Sequence, residues 1–214
     1  MPEDIRVKLN DYYMQIGIHP EKFQCFHQST CRKFANQGRM TETKMSMVGS
    51  LYDKKYPKIT VVSLDPPEEK NGVFKTPKQR TTESVSQLHE AEDFYERRPG
   101  AHWAITQIIV KDLLVIWGFP SQPGSAVVTE SYAGRQIENV SAYFAHVNVA
   151  KCSMNNPGRG QSNEYVHQKC SHAYLMGELA VLEPDILISQ GADANRILGE
   201  LLVGSYASSE KSGI

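Results

Sequence analysis

The chain has 214 residues, 40% of them hydrophobic, with 23 Lys and Arg against 24 Asp and Glu and a formal net charge of −1. That is enough apolar sequence for one sizeable core, and it excludes a disordered, collagenous or repeat-built chain; the near-neutral balance excludes a protein held on nucleic acid mainly by a global positive field. No apolar run approaches a membrane span, and Met1-Pro2-Glu3-Asp4 lacks the basic start of a signal peptide, so a single cytoplasmic domain over 1–214, monomeric and away from membranes, is expected.

Ile5, Leu9, Tyr12, Tyr13 and Ile16 recur at helical spacing, and Gly17 with Pro20 mark a stop, which predicts a helix over 3–16. From 20 to 57 the pattern is irregular and polar and holds Cys25 and Cys31, as suits a segment organised by something other than apolar packing. Ile59-Thr60-Val61-Val62-Ser63-Leu64 reads as a buried strand running into the rigid turn Asp65-Pro66-Pro67. The polar stretch 68–82, with Gly72 and Pro77, reads as a long loop. Helices are predicted over 83–97 and 103–117, the second with Ile105, Ile108, Ile109, Leu113 and Ile116 on a broad apolar face.

Pro120, Pro123 and Gly124 then break the chain. A second strand is predicted over 140–150 and a helix over 163–182, with Val166, Cys170, Ala173 or Tyr174, Gly177 and Val181 on one side and Pro184 ending it. Asp185 to Gly191 reads as a third strand and 192–203 as a short helix. Strands alternating with helices predict an α/β fold, a three-layer αβα sandwich around a mainly parallel sheet. Ligands of such sheets gather at the carboxyl ends of the strands, the edge to which Asp65 and Asn148 both belong.

Four cysteines in a reducing compartment point to metal or redox chemistry more than to disulfides, with buried unliganded thiols as the plain alternative. Three basic groups stand out: Lys75, Lys78 and Arg80; Arg32, Lys33 and Arg39; and Lys151 with Arg159. Each reads either as solvated surface or as a local contact for nucleic acid. His146, His167 and His172 read as solvent-facing or core-capping residues.

Asn148-Val149-Ala150-Lys151-Cys152, then Cys170, then Leu182-Glu183-Pro184-Asp185-Ile186 ending at Gly191, follow one another in an order that resembles the uracil-DNA glycosylase superfamily, in its iron–sulfur (type IV-like) branch. The resemblance covers about residues 20–203 and implies that fold. It implies a [4Fe-4S] cluster on Cys25, Cys31, Cys152 and Cys170, with 20–57 as the cluster-binding segment and zinc as the competing metal. Five residues separate Cys25 from Cys31 where the family usually has two, which makes His27 a possible substitute ligand.

The same resemblance implies hydrolysis of the N-glycosidic bond of uracil, or a related deaminated base, in DNA. Asp65 would be the catalytic carboxylate, Phe74 the ring stacked on the base, and Asn148 the amide that reads it. Leu64 stands where the branch nearest in its cysteines has Glu, and Pro67 stands at the base-selecting place. The family's His-Pro-Ser turn does not occur; the sole His-Pro is His19-Pro20. The alternative expectation is therefore a catalytically impaired iron–sulfur module of the same fold that binds nucleic acid, or a chain truncated before that motif. The segments 77–100 and 118–140 read as insertions of unassigned role.

Overall fold

A computed structural model of the chain describes residues 4–19, 22–38, 40, 45–64, 101–119, 130–132, 135–137, 140–156 and 162–211. The predicted helix 83–97, the loop 68–82, and both Asp65 and Phe74 lie outside the described residues.

The first helix, α1 (Ile5–Gln15), begins where Asp4 accepts the Arg6 N–H at 2.9 Å, satisfying one of the donors that a helix start leaves open. Leu9 and Tyr13 are its buried side. A short helix, α2 (Gln28–Cys31), continues into a 3-10 turn at Arg32–Phe34. The sheet strands are β1 (Met47–Val48) and β2 (Ile59–Ser63), the latter buried along its whole length. Helix α3 (Ala101–Ile116) follows, and then a small antiparallel hairpin, β3 (Glu130–Tyr132) with β4 (Arg135–Ile137). That hairpin lies within the segment 118–140, where too few alternating residues stand in either arm for a periodicity argument.

The predicted strand 140–150 is shorter than expected. A 3-10 turn at Ser141–Tyr143 leads into β5 (Phe144–Asn148). Then come α4 (Glu164–Cys170), a π turn at Ser171–Leu175, and α5 (Met176–Leu182). Glu183 closes α5 in the left-handed region (φ 47°) just before Pro184, which cannot continue a helix. Strand β6 (Ile186–Ser189) precedes α6 (Ala192–Lys211), eight residues longer than the predicted helix.

The result is a mixed α/β structure with a four-stranded open sheet in the order β1-β5-β2-β6. The three strands expected from the sequence make two parallel pairings, and β1 adds an antiparallel edge strand. At Gly49, immediately after β1, a Cβ would sit 2.3 Å from the Ala142 backbone, so only glycine allows this edge to close on the 3-10 turn. Two apolar clusters cover the two faces. On one, Val62, Ala145 and Val147 pack with residues of α1, α4, α5 and α6; on the other, Ile59, Val61 and Phe144 pack with Val110 and Leu114 of α3.

Candidate functional site

Strand alternation sends neighbouring residues of β5 to opposite faces. Ala145, Val147 and Val149 belong to the larger cluster and Phe144 to the α3 cluster, so His146 and Asn148 fall on the α3 side. By the same alternation Ser63 follows Ile59 and Val61 to that side, and Gln190 follows Ile186 and Ile188. Parallel register sets Ser63 directly opposite Asn148.

At this carboxyl edge the polar side chains form a row. Ser63 Oγ lies 2.7 Å from His146 Nε2 and donates to Gln190 Oε1 at 2.8 Å, and Gln190 Nε2 donates to Thr106 Oγ1 of α3 at 2.5 Å. With the serine proton committed to Gln190, the imidazole Nε2–H is the donor to Ser63 Oγ, which fixes the tautomer. Ser63, His146 and Thr106 are all buried. His146 is thus a satisfied core histidine, as its plain reading expected. Asn148, 2% exposed, stands beside this row, and no hydrogen bond joins its carboxamide to a described side chain. The paired backbone continues past the strand ends: Val149 N–H donates to Ser63 O at 2.8 Å and Ala150 N–H to Leu64 O at 2.9 Å. Leu64 is the last described residue before Asp65, and it packs against the larger core.

On the opposite face the chain gathers its thiols. The bend after β5 delivers Cys152, the end of α4 delivers Cys170, and the helical turn of α2 spans the longer interval between Cys25 and Cys31. All four line one small cavity, of about 10 Å³. Ile18, Met154 and Val166 supply apolar wall, and the four thiols are free of disulfides.

Burial pushes the Cys170 thiol up to about 12 and the Cys31 thiol up to about 11; for Cys31 the neighbouring Cys25 adds to it, and for Cys170 the Lys151 backbone N–H and ammonium oppose it. Cys25 Sγ lies 3.0 Å from the Tyr174 hydroxyl, whose own titration burial drives far upward. Among the described residues no three His, Cys, Asp or Glu side chains gather closely enough to grip one bare ion. His27 does not line the cavity; it caps the start of α2 and packs edge-on against Phe26.

Lys151 corrects its surface reading. It is 1% exposed, lines the thiol cavity, donates to Asn148 O at 2.5 Å, and pairs with Glu178 of α5, which is wholly buried. Glu178 also accepts from Tyr13 of α1 and from Ser46. A buried charge pair survives only when its remaining hydrogen-bonding capacity is satisfied, and here it is. Lysine in a short polar run carries no burial signal; the signal available was the helical spacing that sets Glu178 eight residues, about two turns, beyond Cys170. Arg32 and Lys33 are exposed, as expected, while Lys75, Lys78, Arg80, Arg39 and Arg159 lie outside the described residues. His167 is buried and His172 is exposed.

Among the described residues no helix is long and apolar enough to cross a membrane. No family model, no curated protein and no solved structure matches the chain.

Proposed function

We propose that this chain is a uracil-DNA glycosylase-like protein that recognises uracil, or a related deaminated base, swung out of DNA, and that Cys25, Cys31, Cys152 and Cys170 hold a [4Fe-4S] cluster. The observation that carries the reading is the convergence of four thiols, from three distant segments, on one cavity behind a parallel sheet whose Asn148 faces the other way. Asn148 and Cys152 stand four residues apart in one continuous run, so a single bend serves both faces.

Four thiolates complete a [4Fe-4S] cubane, and zinc held by the same four is the competing centre, which metal analysis separates from it. When bound, such a centre would supply a rigid structural tie between α2, the bend at Cys152 and the end of α4.

The chemistry belongs to the chain's own residues. The Asn148 carboxamide both donates and accepts, matching the adjacent carbonyl and ring N–H of uracil's pairing edge. Phe74 stacks on the extruded ring, replacing the neighbours it loses in the duplex. Asp65 orients a water and takes its proton while the water oxygen bonds to C1′; the C1′–N1 bond breaks, and its electron pair leaves with the base. Leu64, packed into the core where an acid would be needed, favours a second reading in which the same edge binds a base without cleaving it.

One preparation separates these readings. The full chain, purified anaerobically, should contain iron and sulfide and absorb broadly in the visible, and it should leave alkali-labile sites in uracil-containing oligonucleotides. Iron with retention of the oligonucleotide but no cleavage selects the binding module. A colourless, iron-free protein that ignores uracil overturns both.

A further inference from the structure

We propose that Lys151 is a positioning residue that couples the thiol cavity to the base-reading edge, so that filling the cavity with thiolate-bound iron stiffens the backbone carrying Asn148. The inference rests on the thiol reading above and extends it to a residue whose charge the sequence placed at the surface.

Lys151 reaches both sites at once. Its side chain lines the cavity that the four thiols share, and its neighbour in the chain is Cys152. Its ammonium donates to the Asn148 carbonyl at 2.5 Å and to Glu178. The carbonyl it holds is that of the last residue of β5, beyond which Val149 and Ala150 carry the backbone pairing on to Ser63 and Leu64. Glu178 in turn is held by Tyr13 and Ser46, so the ammonium is fixed to α1 and α5 rather than to a mobile partner. A buried, fully satisfied polar network has few alternative arrangements, which is the condition for passing restraint from one end to the other. Ordering Cys152 therefore orders Lys151, its neighbour in the chain and in the cavity wall, and Lys151 orders the Asn148 carbonyl.

Amide hydrogen exchange of the full chain tests this, before and after anaerobic reconstitution with ferrous iron and sulfide, with bound iron counted in every sample. In the wild-type chain, exchange over 144–150 should slow about tenfold on loading, within the range of ordinary coupling between sites. The variant K151M/E178Q removes both charges yet leaves Tyr13 and Ser46 an acceptor; it should take up the same iron and slow over 144–150 by less than about twofold.

Equal protection in K151M/E178Q and wild type overturns the coupling while leaving the cluster intact. The wild-type chain alone gives an independent test should the double variant not fold: protection confined to 23–34 and 164–172, with 144–150 unchanged, overturns the coupling as well. Failure of the wild-type chain to retain iron overturns the thiol reading and the coupling together.

Discussion

The two faces of the central sheet solve opposite problems with the same strands. Toward α1, α4 and α5 the chain buries charge and sulfur: a Lys151–Glu178 pair with almost no solvent contact and four thiols around an apolar-walled cavity. Toward α3 it buries neutral polar groups: Ser63, His146 and Thr106, joined with the half-buried Gln190 in one hydrogen-bonded row that ends beside Asn148. Charged groups demand complete compensation because their desolvation is severe, whereas neutral ones need only a partner each. The first face is accordingly locked by partners from three elements, while the second leaves one amide without a described side-chain partner at the edge where a ligand would arrive.

The sharpest way to break this contrast is to leave one buried charge alone. Lys151→Met strands Glu178 and should cost about 3–5 kcal/mol of unfolding free energy, while the double replacement K151M/E178Q should recover most of it. Urea melts of the three proteins decide the matter, and a single-variant loss no larger than that of an exposed pair would show that the two faces do not differ in kind. A second measurement addresses sulfur. In the metal-free chain Cys170 and Cys31 keep their protons to about 12 and about 11, above the ordinary thiol value of 9.0. The unfolded chain then binds fewer protons than the folded one between those limits, so stability is full below pH 9 and falls as pH rises toward 12, by a few kcal/mol for Cys170. Cys170→Ser should flatten that part of the pH profile, since serine does not titrate there.

This asymmetry also explains what could be read along the chain. Strands β2, β5 and β6 were legible because buried parallel strands are short apolar runs bounded by Pro, Asn or Gly, and their common edge followed from topology. The four thiols were legible through composition and order, though the turn of α2 that brings Cys25 and Cys31 to one cavity was not, since the five intervening residues, polar but for Phe26, have no period. Strand β1 was invisible because two residues cannot show alternation. Lys151 was misread because hydropathy prices a lysine by itself, whereas its burial depends on Glu178, Tyr13 and Ser46, each far off in sequence. Ser63, His146 and Gln190 were missed as a group for the same reason: 83 positions separate the first two.

The α3 face yields smaller but more informative effects. Asn148→Ala should reduce uracil binding or excision about a hundredfold, near 3 kcal/mol, as expected for losing an oriented donor at a reacting base. Its denaturation midpoint should stay close to wild type, because the carboxamide joins no described side chain. Equal losses in stability and function would assign Asn148 to the scaffold, and with it the idea that this face is the working one.

Ser63→Ala sharpens the comparison furthest, because it removes the centre of the polar row without touching either charged group. Gln190 Oε1 loses its Ser63 donor and the buried His146 Nε2 loses its Ser63 acceptor. The expected cost is about 1–3 kcal/mol, the penalty for leaving buried neutral groups unpaired. Ser63→Thr keeps the hydroxyl in a strand that favours β-branched residues and should cost less. Asn148 lies opposite Ser63 in register, so the alanine variant should also weaken uracil binding while leaving the iron content and visible absorption unchanged. A change in iron content with Ser63→Ala would mean that restraint passes through the sheet itself, and the two faces would then be one site.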